Sequence, residues 1–151
     1  MIQKACLAGI LSLLASGTTN AQAFNPATEA LRQFESYKAT IEAREGASVD
    51  VPKAITGDLN GDGRTDCLVF FVLTPKGGGN AIVDRQTAVY LNTGRGMKVD
   101  GAFPDLEICY VPEAISRGRI RMGSYECAPP YNTKTGTRYY RWQSRKLVPV
   151  R

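Results

Sequence analysis

The chain has 151 residues, 43% of them hydrophobic, with 19 basic and 14 acidic side chains and no histidine. That length suits one domain with a modest core. The lack of histidine excludes Ser-His-Asp triads, histidine-activated thiols and histidine-ligated metals, and leaves acid–base chemistry to carboxylates.

The first residues have the character of a leader. Lys4 supplies a short positive start, residues 5–15 form an almost unbroken apolar run, and Ala21-Gln22-Ala23 has the small-x-small pattern that signal peptidase reads. The run is about half of the roughly 20 residues that a membrane span needs. The expectation is a periplasmic or secreted protein. On that expectation residues 1–23 are a signal peptide, residues 24–151 a single domain, and no membrane span is left after signal removal. Cys6 leaves with the leader, so Cys67, Cys109 and Cys127 stay in a compartment where disulfides persist.

Asn25-Pro26 has the form of a helix start, with Asn as N-cap, Pro at the first helical position and Glu29 in the first turn. Ala27, Ala30, Leu31, Phe34, Tyr37 and Ile41 follow at spacings of three and four, which predicts an amphipathic helix ending near Gly46. Strands and turns come next. Residues 67–74 are a continuous run rich in Val and Phe, as in a strand buried on both faces. Residues 75–80 are a glycine-rich loop, without the Gly-Lys-Ser/Thr of a phosphate loop. Further strands are predicted at 86–92, 97–99, 106–111, 119–127, 137–143 and 146–150, with turns at 93–96, 116–118 and 144–145. The expected fold is α+β, one N-terminal helix packed on an antiparallel sheet of about seven short strands.

Between the helix and the 67–74 strand lies "GDLNGDGRTD", residues 57–66. Counted from Asp58, side-chain oxygens fall at positions 1 (Asp58), 3 (Asn60), 5 (Asp62) and 9 (Asp66). Gly63 stands at position 6, and Arg64 at 7 offers its carbonyl. This is the ligand order of an EF-hand loop, and hard oxygen donors favour calcium. Val69 stands where the bidentate Glu of an EF-hand belongs, and the loop feeds a strand instead of a helix. The stretch "TAVYLNTGRGMKVDGAF", residues 87–103, adds Leu91, Asn92 and Gly94. Together these segments resemble the calcium loops of the FG-GAP and VCBS β-propeller repeats, where such a loop enters a buried strand and a second strand ends in Leu-Asn-x-Gly. The resemblance implies calcium on Asp58, Asn60, Asp62, Asp66 and the carbonyl of Arg64. With one such unit, the chain is not a propeller. A metal-free Asx-turn loop is the plainer alternative.

A hairpin turning about Gly118 sets Cys109 opposite Cys127, close enough to bridge. Pairing of Cys67 with either is the alternative; unpaired, Cys67 is a small buried hydrophobe.

Charge is unevenly divided. Residues 24–116 carry 9 basic and 13 acidic side chains, a net of −4, while residues 117–151 carry 9 and 1, a net of +8. A basic half in an exported protein points to an acidic protein or another anionic envelope component, and no nucleic-acid motif is present. Arg117, Arg119 and Arg121 share one side of a strand by period two. With Tyr131, Tyr139 and Arg141 they are the candidate partner-binding residues, types enriched in interface hot spots; a solvated strand face is the plainer account. The function expected is a non-enzymatic binding module stiffened by calcium and a disulfide, for example an inhibitor or immunity protein against a cell-wall hydrolase. The alternatives are an envelope-modifying hydrolase using carboxylates or metal-bound water, and a structural or adhesive envelope protein.

Overall fold

The computed structural model describes residues 23–79, 81–102 and 109–150. The expected leader lies outside the described residues up to position 22, as does the start of the strand expected at 106–111.

Helix α1 (Pro26–Glu45) forms as its end signals dictate. The Asn25 side chain accepts the Thr28 N–H at 3.1 Å, Pro26 opens the first turn, and Gly46 closes the last in the left-handed conformation (φ 64°). Eight strands follow: β1 (Ala47–Gly57), β2 (Asp66–Pro75), β3 (Asp84–Asn92), β4 (Met97–Ala102), β5 (Tyr110–Ser116), β6 (Arg119–Tyr125), β7 (Lys134–Gln143) and β8 (Lys146–Val150). They make two antiparallel sheets ordered β1-β2-β3-β4 and β5-β6-β7-β8. The α+β class holds, but the single sheet of about seven strands is corrected to two sheets of four.

The reason lies in β6 and β7. Ile120, Met122 and Trp142 make one face of the second sheet apolar, and that face is buried by stacking on the far side of the first sheet, against Ile55, Leu68, Phe70 and Val89. The other face of the first sheet packs on α1, where Ala30 and Phe34 meet Val49, Cys67, Val69, Phe71, Leu73 and Tyr90. The Phe34 and Phe71 rings lie 4.8 Å apart. Alternate side chains of β2 thus enter two different cores, and its unbroken apolar run is the consequence. Tyr37, expected on the buried helix face, is exposed.

Strand β1 escaped the sequence pattern because Pro52 interrupts it. The ladder to β2 slips between Asp50 and Lys53, and Val51 has φ 48°; an edge strand tolerates such a bulge. The expected Cys109–Cys127 disulfide is formed and Cys67 is free and buried, but the register behind that expectation is corrected. The β5–β6 turn is the pair Arg117-Gly118, between partners Ser116 and Arg119, and the ladder slips again between Pro112 and Ala114. Cys109 accordingly faces Tyr125, whose N–H donates to the Cys109 carbonyl at 2.8 Å. Cys127 reaches its partner from beyond the end of β6.

The two sheets approach each other at Gly57 of β1 and Ile115 of β5. A Cβ on Gly57 would stand 2.5 Å from Ile115 Cβ and 2.9 Å from its carbonyl oxygen. Replacing Gly57 by Ala should therefore cost about 1–3 kcal/mol in urea unfolding. Gly136→Ala, where a Cβ meets nothing within 4 Å, should change stability far less.

Candidate functional site

The loop from β1 to β2 is folded by its own acidic side chains. Asp58 accepts the N–H of Gly61 at 2.7 Å and of Gly63 at 2.9 Å through its two oxygens. Asn60 Oδ1 accepts the Asp62 N–H at 3.0 Å. Asp62 accepts the Arg64 N–H at 2.9 Å and ion-pairs with the Arg64 guanidinium at 2.6 Å. These contacts hold the Asp62 carboxyl below its ordinary range, the Arg64 N–H contributing most.

Asp66 differs because it is fully buried. Its carboxylate accepts the N–H of Leu59 and of Asn92, each at 2.8 Å. Burial pushes this carboxyl upward against the pull of those two N–H groups, and the charges of Asp62 and Asp58 push it further. Asn92 completes the lock. Its side chain donates to the Thr65 carbonyl at 3.2 Å and accepts the Gly94 N–H at 2.9 Å, and its carbonyl accepts Arg64 Nε at 2.8 Å. The Asp-rich loop and the Leu91-Asn92-x-Gly94 turn are thus one hydrogen-bonded unit.

The loop donors are all hard oxygens, three of them carboxylates close in sequence, which fits calcium in kind. Among the described residues no group of three or more His, Cys, Asp or Glu side chains is arranged to hold a metal ion. The candidate set draws as well on Asn60 and the Arg64 carbonyl, and the Arg64 guanidinium competes for Asp62.

The second sheet supplies a site of opposite charge. Its inner face buries Ile120 and Met122, so the alternation of β6 turns Arg119 and Arg121 outward. Register sets Arg121 beside Tyr139, Tyr139 beside Val150 and Arg141 beside Val148. Arg117, Arg119, Arg121, Arg141 and Tyr139, with Ser116 and Ala114, line a groove of about 670 Å³. The Glu113 carboxylate pairs with Arg121 at 3.2 Å and with Lys134 at 2.6 Å. The Lys134 ammonium holds the Glu113 carboxyl below its ordinary value of 4.5. Five of the six expected partner-binding residues therefore gather in one place. Tyr131 does not: its carbonyl accepts from Arg85 at 3.3 Å, and its ring lies 5.9 Å from that guanidinium.

The two regions adjoin. Asp58, Asn60 and Gly61 share a second cleft of about 560 Å³ with Arg117, Arg141 and Trp142, and the Gly118 N–H donates to the Asp58 carbonyl at 3.2 Å. Sequence reasoning missed this juxtaposition and the part played by Glu113. No local pattern signals either, because the first follows from how the sheets stack and the second from the pairing of β5, β6 and β7 within one sheet. Compared with known protein families, curated proteins and solved structures, the chain matches none.

Two outcomes follow from these contacts. Asp66→Asn puts an amide donor against a buried N–H and should lower the unfolding free energy measured in chelator by about 2–3 kcal/mol. The contribution of Glu113, whose folded pKa is depressed, is present above the unfolded value and is lost as pH falls through the folded one. Glu113→Gln should therefore flatten the acid limb of the stability–pH curve below about pH 4.5, as read from urea midpoints.

Proposed function

We propose that the chain is an exported, calcium-binding, non-enzymatic module that docks an anionic partner on the open face of its second sheet. The observation that carries this is the gathering of four arginines and Tyr139 in one groove, where among the described residues Glu113 ion-pairs with Arg121 alone of the four. Guanidinium groups present rigid donor forks that match carboxylates two bonds at a time. Arg117 stands at φ 51° in the two-residue β5–β6 turn, as a type I′ hairpin connection requires. An acidic cell-wall hydrolase blocked by this face is the form of partner favoured.

The resemblance to FG-GAP and VCBS loops, together with the carboxylates close in sequence, supports calcium as a staple. Asp58, Asn60, Asp62 and Asp66 with the Arg64 carbonyl would hold it. When bound, the ion supplies positive charge to offset those carboxylates. The chain's own part is to hold the loop in shape through Asp58, Asn60 and the buried Asp66.

Calcium titration by calorimetry should give a Kd of about 10⁻⁴–10⁻³ M and a stabilisation of about 0.5–1.5 kcal/mol at millimolar calcium, both lost in Asp62→Ala. No heat and an unmoved melting temperature in chelator would refute the metal. For the partner, wild-type protein used as bait in envelope extract should retain an acidic protein that Arg119→Gln/Arg141→Gln releases and that raised salt weakens. Hydrolytic activity of the chain itself, with no partner retained, would overturn the binding-module reading.

A further inference from the structure

We infer that the arginine groove receives an extended acidic segment of a polypeptide, with alternate carboxylates set against Arg119 and Arg121. This rests on the binding-module reading above and names the chemistry of its partner.

The spacing is the first ground. Arg119 and Arg121 are alternate residues of β6 and face the same side. Their backbone positions are thus about 6.6–6.8 Å apart, the same repeat that separates same-side residues in an extended peptide.

Donor and acceptor inventory is the second ground. Four guanidiniums present donors only, and the hydroxyls of Ser116 and Tyr139 are the side-chain acceptors of the lining. An ionised Asp or Glu side chain is acceptor-only and is satisfied there. The hydroxyls of a glycan also donate, and the side-chain acceptors here are few, the hydroxyls of Ser116 and Tyr139 and the Glu113 carboxylate on Arg121.

Third, the groove is not purely cationic. Register carries the face from Arg121 through Tyr139 to Val150, and from Arg141 to Val148. Tyr139 and Val148 are 46% and 39% exposed. Apolar surface beside the charges, Tyr139 on β7 and Val148 and Val150 on β8, suits a peptide that alternates acidic and apolar residues. The segment lies on the face rather than adding to the edge, because Pro149 removes an N–H from β8.

The test compares binding of four probes at low salt by calorimetry. These are the capped peptide Glu-Val-Glu-Val-Glu-Val, its isomer Glu-Glu-Glu-Val-Val-Val, a polyuronate, and vesicles of phosphatidylglycerol in phosphatidylcholine. The alternating peptide should bind about five- to tenfold tighter than its isomer. Arg119→Gln and Arg121→Gln should each weaken it by about five- to tenfold, Arg119→Gln at unchanged melting temperature, while Arg32→Gln on α1 leaves it unaltered. Equal affinity for the two peptides, or insensitivity to both arginine variants, overturns the inference. Tighter binding of the polyuronate or the vesicles than of the alternating peptide also overturns it, yet leaves anionic docking standing. Failure of all four probes to bind removes both.

Discussion

A buried carboxylate, Asp66, sets the geometry on which the rest of the structure hangs. It accepts N–H groups from Leu59, inside the acidic loop, and from Asn92, at the end of β3. A charge out of reach of water is tolerable only with such partners, so the loop must close and β3 must end where these bonds allow. The carboxylate stands at the first position of β2. Immediately beyond it, the strand commits Cys67, Val69 and Phe71 to the helix and Leu68 and Phe70 to the second sheet. One buried side chain thereby fixes the start of the element that belongs to both cores.

The second sheet then takes its place from the first. Gly57 lets β1 come against Ile115 of β5, and the contact brings the Arg117-Gly118 turn onto the Asp58 carbonyl. The acidic loop and the basic groove meet through this packing, with Arg117 and Arg141 on the border of both. The charge asymmetry along the chain becomes, in space, two neighbouring regions of opposite sign.

What could be foreseen from sequence was what local chemistry controls. The cap at Asn25, the stop at Gly46 and the two-sided burial of β2 follow from residue types and period. The outward row of Arg119 and Arg121 follows from alternation alone. The division into two sheets was not foreseeable in this way, since alternation tells which side of β6 is apolar but not what covers it. Strand β1 was hidden by Pro52 and the slip it sits in. The cysteine pairing was anticipated through a register that the β5–β6 ladder does not keep; the bridge forms because the chain beyond Tyr125 is free to come back. Tyr131 was grouped with the arginines by nearness in sequence, whereas its place is beside Arg85 of the first sheet.

The alternation in β6 has an evolutionary side. Ile120 and Met122 bear on the fold, while Arg119 and Arg121, between them in the same strand, bear on the outer face only. Mutation at the outward positions leaves the core untouched. The outer face can therefore be rewritten, one guanidinium at a time, while the scaffold beneath is inherited intact.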